Sequence, residues 1–138
     1  MIVHGSCHCG NIKFEADVNP EKVSVCHCTD CQTSTGSAFR VNVPVSGKTF
    51  RMISGTPTIY VKTTADSGNP RAQAFCSTCG SPLYSTTPGD GPQPWYMVRV
   101  GILNERRELP PKIQNWRRSS QPWLTDMASV PKNEKAAT

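Results

Sequence analysis

Apolar and polar positions alternate in short stretches along this chain. Lys13-Phe14-Glu15-Ala16-Asp17-Val18 alternates strictly, and so does Arg40-Val41-Asn42-Val43. A period of two puts successive side chains on opposite faces of a pleated strand. Residues 58–62 and 95–100 are rich in β-branched and aromatic side chains, which also favour strands. Further strands are predicted at 23–25, 50–53, 72–75 and 83–86, and Ser54-Gly55-Thr56-Pro57 closes the 50–53 segment with a turn. Helix is scarce. A single turn is expected from Thr29, whose hydroxyl is placed to cap the backbone of Cys31 or Gln32. Ser67-Gly68-Asn69-Pro70 and Pro88-Gly89-Asp90-Gly91-Pro92 read as a turn and a loop inside one domain. After Val100 the pattern becomes irregular, and residues 130–138 read as a frayed tail. The pattern predicts one mainly β domain over residues 1–129 with little helix.

Composition changes this picture in one respect. Only 36% of the 138 residues are hydrophobic, and ten glycines and twelve prolines make the chain rich in loops. A core that small needs support from crosslinks, and bound metal is one way to supply it. No apolar run approaches the roughly 20 residues that span a bilayer, so no membrane partner is expected. The segment Met1-Ile2-Val3-His4-Gly5-Ser6 has neither the basic nor the apolar region of a secretory signal. The expectation is a cytoplasmic protein whose thiols stay reduced. A formal charge of +5 reads mainly as a solvated basic face that also draws small anions.

The seven cysteines carry the chemistry. They form Cys7-x-Cys9, then Cys26-x-Cys28-x-x-Cys31, then Cys76-x-x-Cys79. An odd count and spacings of one or two residues favour metal over disulfides. Gly80-Ser81-Pro82 after Cys79 breaks the helix that a thioredoxin-like redox pair requires. Cys9 and Cys79 are each followed by glycine, which permits a positive φ and turns backbone N–H groups toward sulfur. Two such knuckles facing each other make a closed four-sulfur zinc site, so Cys7 and Cys9 are paired with Cys76 and Cys79 as a structural centre.

Cys26, Cys28 and Cys31 remain as a three-sulfur set for a second, catalytic zinc. Its fourth position is either open to water or substrate, or closed by His27, His8 or Asp30. Three thiolates outweigh the metal's charge and weaken its Lewis acidity, so a soft ligand such as a substrate thiolate suits the fourth position. Arg40, Arg71 and Arg99 are candidates to balance that added charge, and Gly36-Ser37 is a candidate lining of the open position. His4 and the basic segments read as surface. Tyr84, Trp95, Trp116 and Trp123 read as core or rim packing.

The same residues carry a resemblance. Gly5-Ser6-Cys7-His8-Cys9-Gly10 opens the pattern, followed by the Cys26–Cys31 cluster with Thr35-Gly36-Ser37-Ala38-Phe39. Phe75-Cys76-Ser77-Thr78-Cys79-Gly80-Ser81-Pro82-Leu83-Tyr84 continues it, and Trp116 and Pro122-Trp123 close it. Over residues 3–124 this resembles the glutathione-dependent formaldehyde-activating enzyme family, which includes centromere protein V. The resemblance implies a β-tent fold of small antiparallel sheets organised around two zinc ions. It implies a structural ion on Cys7, Cys9, Cys76 and Cys79 and a catalytic ion on Cys26, Cys28 and Cys31. It also implies a carbon–sulfur lyase that joins a thiol such as glutathione to a small aldehyde such as formaldehyde, giving an S-hydroxyalkyl adduct. Gln32-Thr33 departs from the basic residues that many relatives carry after the third cysteine of this cluster. The rival reading is a non-catalytic, zinc-stabilised module for a protein or nucleic-acid partner. The basic residues here lack the aromatic interleaving of single-strand binders, which disfavours nucleic acid.

Overall fold

In the computed structural model, which describes residues 1–136, the alternating stretches pair into two sheets. The smaller sheet has the order β1 (Ile2–Ser6), β2 (Lys13–Asp17) and β5 (Arg51–Ser54). The larger sheet has seven strands. β3 (Ser24–Cys26), β4 (Arg40–Ser46) and β9 (Trp95–Arg99) form one half, and β8 (Pro82–Thr86), β7 (Arg71–Phe75) and β6 (Thr58–Lys62) continue it to one edge. At the other edge β10 (Ile113–Asn115) lies parallel to β3, while every other pair is antiparallel.

The period-two alternation gives the larger sheet two unlike faces. Register places Val43, Val98, Tyr84 and Ala74 side by side across β4, β9, β8 and β7. All four are buried and belong to the core. One residue along, the neighbouring row reads Pro44, Met97, Ser85 and Gln73, and Asn42 stands opposite Arg99. That second face is polar and lines a cleft.

The smaller sheet packs Val3, Phe14 and Ala16 into the core. Phe50 joins the sheets: its ring stacks on Phe14 at 5.0 Å and on Tyr96 at 4.0 Å, and meets Tyr84 edge-on at 5.2 Å. Gly5 lies under the Phe14 ring. A Cβ there would come within 2.2 Å of Phe14 Cζ, so no larger residue fits without displacing the ring.

Three features depart from the sequence reading. β1 is a strand because Val3 and Gly5 face the core, but a glycine at a core position leaves no apolar alternation to read. The helix α1 (Thr29–Thr35) runs two turns rather than one and stops at Gly36, whose φ is +62°. Its cap is the Cys28 sulfur, which accepts from the Cys31 N–H at 3.3 Å; the Thr29 hydroxyl does not fill that role. Beyond Val100 the chain forms short 3-10 turns and the three-residue β10, whose side chains are all exposed. Residues 130–136 are exposed and hold no helix or strand; the last two residues of the expected tail lie outside the described residues. No helix among the described residues is long and apolar enough to cross a membrane.

His4 is exposed, as expected, but it is also a fastener. Its backbone N–H and ring Nδ1 contact the Glu105 carboxylate at 2.9 and 2.7 Å, and Asn104 N–H donates to the His4 carbonyl at 2.9 Å. The Glu105 carboxylate holds the His4 pKa above its ordinary 6.5. Burial works to raise Glu105, but the hydrogen bonds from His4 overcome it and hold the carboxyl below its ordinary 4.5. The His4 contribution to stability is complete below 6.5 and is lost as pH rises through its raised pKa. The Glu105 contribution is complete above 4.5 and is lost as pH falls through its lowered pKa. The stability difference between wild type and His4→Gln, measured by urea unfolding, should therefore be largest between pH 4.5 and 6.5 and shrink on both sides.

Candidate metal centres and catalytic cleft

Two turns build the first cysteine cluster. Cys7 and Cys9 follow β1, and Cys76 and Cys79 follow β7. In the first turn Gly10 N–H donates to the Cys7 carbonyl at 3.0 Å, and in the second Gly80 N–H donates to the Cys76 carbonyl at 2.8 Å. Gly10 and Gly80 have φ of +82° and +76°, the left-handed values these knuckles require. Ile12 N–H donates to Cys7 Sγ at 3.2 Å. The Ser81 hydroxyl lies 3.2 Å from Cys79 Sγ and brings that thiol down to about 5.

All four sulfurs lie within 4.8 Å of one another, with Cys7–Cys9 at 3.6 Å and Cys9–Cys76 at 3.7 Å. No disulfide forms among the seven cysteines. A tetrahedron with zinc–sulfur bonds of about 2.3 Å has edges of about 3.8 Å. The two shortest edges match that tetrahedron, so the four-sulfur cluster could hold a zinc ion.

The second cluster comes from contiguous chain. Cys26 ends β3, Cys28 caps α1 and Cys31 lies in its first turn. Their sulfurs also lie within 4.8 Å of one another. Hydrogen bonding from the Cys31 thiol brings Cys26 down to about 5, and the same bond pushes Cys31 up.

No histidine or carboxylate among the described residues joins these three sulfurs. Asp30 turns away to Thr64 Oγ1 at 2.8 Å and Lys62 Nζ at 3.0 Å; the threonine bond first, then the lysine, holds its carboxyl below the usual range. His27 is buried on the other side, with Nε2 at 2.8 Å from Gln114 Oε1 and its ring against Phe39. His8 is exposed and offers its backbone N–H to Ser81.

A cleft of about 570 Å³ opens over Cys26, Cys28 and Cys31; none of the other four cysteines lines it. Its floor is the polar face of the larger sheet, including Arg40, Asn42, Gln73, Met97 and Arg99. Arg71 stands over the Trp95 ring at 5.4 Å on one flank. The segment 116–119 forms another wall, where Arg118 covers the Trp116 ring at 5.0 Å and pairs with Asp66 at 3.6 Å. Trp116 has φ +59°, the one non-glycine residue with positive φ among those described.

Gln32 fastens this wall to the helix. Its Nε2 donates to the His27 and Ser119 carbonyls at 2.7 and 2.9 Å, and its Oε1 accepts from Gln121 at 2.7 Å. A basic side chain at position 32 could not accept that last bond. Gly36 and Ser37, expected near the open position, end the helix instead and do not line the cleft.

Residues 2–119 match the family model described as glutathione-dependent formaldehyde-activating enzyme. The chain belongs to that family. A curated relative from Halomonas elongata, named putative glutathione-dependent formaldehyde-activating enzyme, is 29% identical over 91 residues. That match takes in 64% of this chain and spans 58% of the relative's length. The crystal structure of a Rhodobacter sphaeroides protein superposes with a TM-score of 0.60 at 22% identity, covering 83% of this chain and all of that one. The superposition shows that the fold is shared.

Gln73 and Asn42 escaped the sequence reading, although each was legible in principle, since each occupies the polar phase of an alternating strand. Gln32 was noted only as a departure from the resembled pattern, and its fastening of the wall needed the fold. We expect about two zinc ions per purified chain by elemental analysis. Cys28→Ser should lose one and keep its near-UV circular dichroism, whereas Cys76→Ser should lose the other along with the folded signal. A Cys76→Ser protein that stays folded would refute the structural role of the four-sulfur cluster.

Proposed function

We propose that this protein is a zinc-dependent carbon–sulfur lyase, catalysing addition of a thiol to a small aldehyde and the reverse cleavage. Glutathione and formaldehyde are the pair indicated by the family to which the chain belongs. The observation that carries the reading is the contrast between the clusters. Four sulfurs complete their own set, whereas three open onto a basic cleft with no fourth protein ligand among the described residues.

Cys26, Cys28 and Cys31 would hold the ion at the cleft floor. Zinc bound there supplies positive charge that keeps a thiol deprotonated near neutral pH. The chain's own part is positioning and electrostatics. Arg40 and Arg99 give the floor a positive potential that attracts anions and opposes the negative charge of the cysteinates. Asn42 and Gln73 hold the Arg99 guanidinium at 2.8 and 2.6 Å, so its charge is fixed in place before substrate arrives. The walls at Trp95 and Trp116 narrow the space above, which favours a thiol sulfur meeting an aldehyde carbon in one orientation. In the forward direction a carbon–sulfur bond forms, the carbonyl π pair moves to oxygen, and that oxygen takes a proton from solvent. Cleavage reverses each of these changes.

The thiol and formaldehyde add without help, so the test must compare rates. Exchange between formaldehyde and S-hydroxymethylglutathione, followed by NMR, should be faster with zinc-loaded protein than without it. Cys28→Ser should return it to the uncatalysed rate. Equal exchange with and without zinc-loaded wild-type protein would remove this reading.

A further inference from the structure

The floor of the cleft holds two cations that no carboxylate among the described residues neutralises. They are Arg40 and Arg99, only 7% and 5% exposed. The nearby acids are already engaged, Asp30 with Lys62 and Asp66 with Arg118. Both guanidiniums instead converge on one neutral acceptor: Gln73 Oε1 receives Arg40 Nη1 at 3.2 Å and Arg99 Nη2 at 2.6 Å. The Nε of each arginine is buried without any partner, and Arg40 makes no other side-chain hydrogen bond.

Such an arrangement is costly for a structure that serves packing alone. Buried charges are normally paired, because desolvation without a partner opposes folding. Here burial, followed by the like charge of Arg40, lowers the Arg99 pKa to about 9. Cys26 and Cys31 attract both guanidiniums electrostatically, but neither arginine hydrogen-bonds to a sulfur, and only Arg40 stands directly opposite Cys26 in the strand register. Arg99 lies one strand farther from that cluster, facing Asn42. Arg71 adds a third cation on the same face, held only by the Pro70 carbonyl and the Trp95 ring. Planar guanidinium forks are matched to carboxylates, which they bind with paired, charge-assisted hydrogen bonds.

We infer that Arg40 and Arg99, bridged by Gln73, form the specificity-determining site for a carboxylate carried by one of the two reactants. This rests on the lyase reading for the identity of those reactants, a thiol and an aldehyde. The carboxylate belongs either to the thiol or to an oxo acid in place of the simple aldehyde. The chemistry at the arginines is the same in both cases.

The test reads binding rather than turnover. Zinc-loaded protein is titrated, with amide NMR shifts as readout, using 3-mercaptopropionate against 2-mercaptoethanol and glyoxylate against formaldehyde. One carboxylate-bearing member should bind on the order of tenfold to a hundredfold tighter than its neutral counterpart. Arg40→Gln and Arg99→Gln should each bring that ratio close to one. The pair that shows the arginine-dependent preference identifies the reactant carrying the carboxylate. Equal affinities within both pairs in wild type, or a preference that survives both substitutions, overturns the inference. If neither variant folds, propionate decides in wild type. It should compete with the preferred carboxylate and shift the amides of Arg40, Gln73 and Arg99; shifts confined to other residues overturn the assignment. Carboxylate preference without catalysed exchange would remove the lyase reading and leave the anion site, and catalysed exchange without preference would do the reverse.

Discussion

The register between β4 and β9 is the constraint on which the molecule depends. Val43 lies opposite Val98 in the core, and Asn42 lies opposite Arg99 on the cleft floor. A slip of one residue in either strand would drive an arginine into an aliphatic interior and expose a valine. The penalty for burying a guanidinium among aliphatic side chains, with no hydrogen-bond partner, runs to several kcal/mol. The pairing therefore specifies the core and the cleft in a single step. Disturbing one face disturbs the other.

Around that pair the fold solves the problem of a chain poor in apolar residues. The smaller sheet adds Val3, Phe14 and Ala16 to the shared core, and Phe14, Phe50, Tyr84 and Tyr96 form the aromatic cluster that joins it to the larger sheet. Aromatic side chains bury more surface per residue than aliphatic ones, so four rings substitute for a larger aliphatic layer. The cysteines of the first cluster come from turns after β1 and β7, one in each sheet. Their sulfurs converge within 4.8 Å. An ion held there would tie the two sheets together.

The proposed division of labour between the clusters rests on their positions in the chain. Cys7, Cys9, Cys76 and Cys79 approach from opposite sides and complete their own set. Cys26, Cys28 and Cys31 occupy one strand end and one helix start. Their sulfurs come from a single side and leave the other to the cleft. Cys28 would serve twice in the proposed site, since its sulfur also caps the helix that presents Cys31. The serine substitution that tests the site keeps a side chain able to cap, so it separates the chemical role from the structural one.

Sequence alone determined the β character of the chain and the positions of most strands, because alternation and β-branched runs act locally. The segment 58–62 coincides with the observed β6, while β1 and β10 went unread. Gly5 removes the apolar signal from β1, and β10 exists only because β3 offers it an edge. The sulfur groupings were legible for a similar local reason: knuckle spacing and the glycines after Cys9 and Cys79 act within a few residues. Only the tertiary structure decided what surrounds the three-sulfur cluster. Gln73, Arg99 and Trp116 are remote from Cys26 in sequence and reach its cleft through strand order and the path of the C-terminal segment. Arginine is ordinary on a surface and exceptional in a buried, unpaired site. Burial and the lack of a partner are properties of the folded assembly, and no spacing along the chain encodes them.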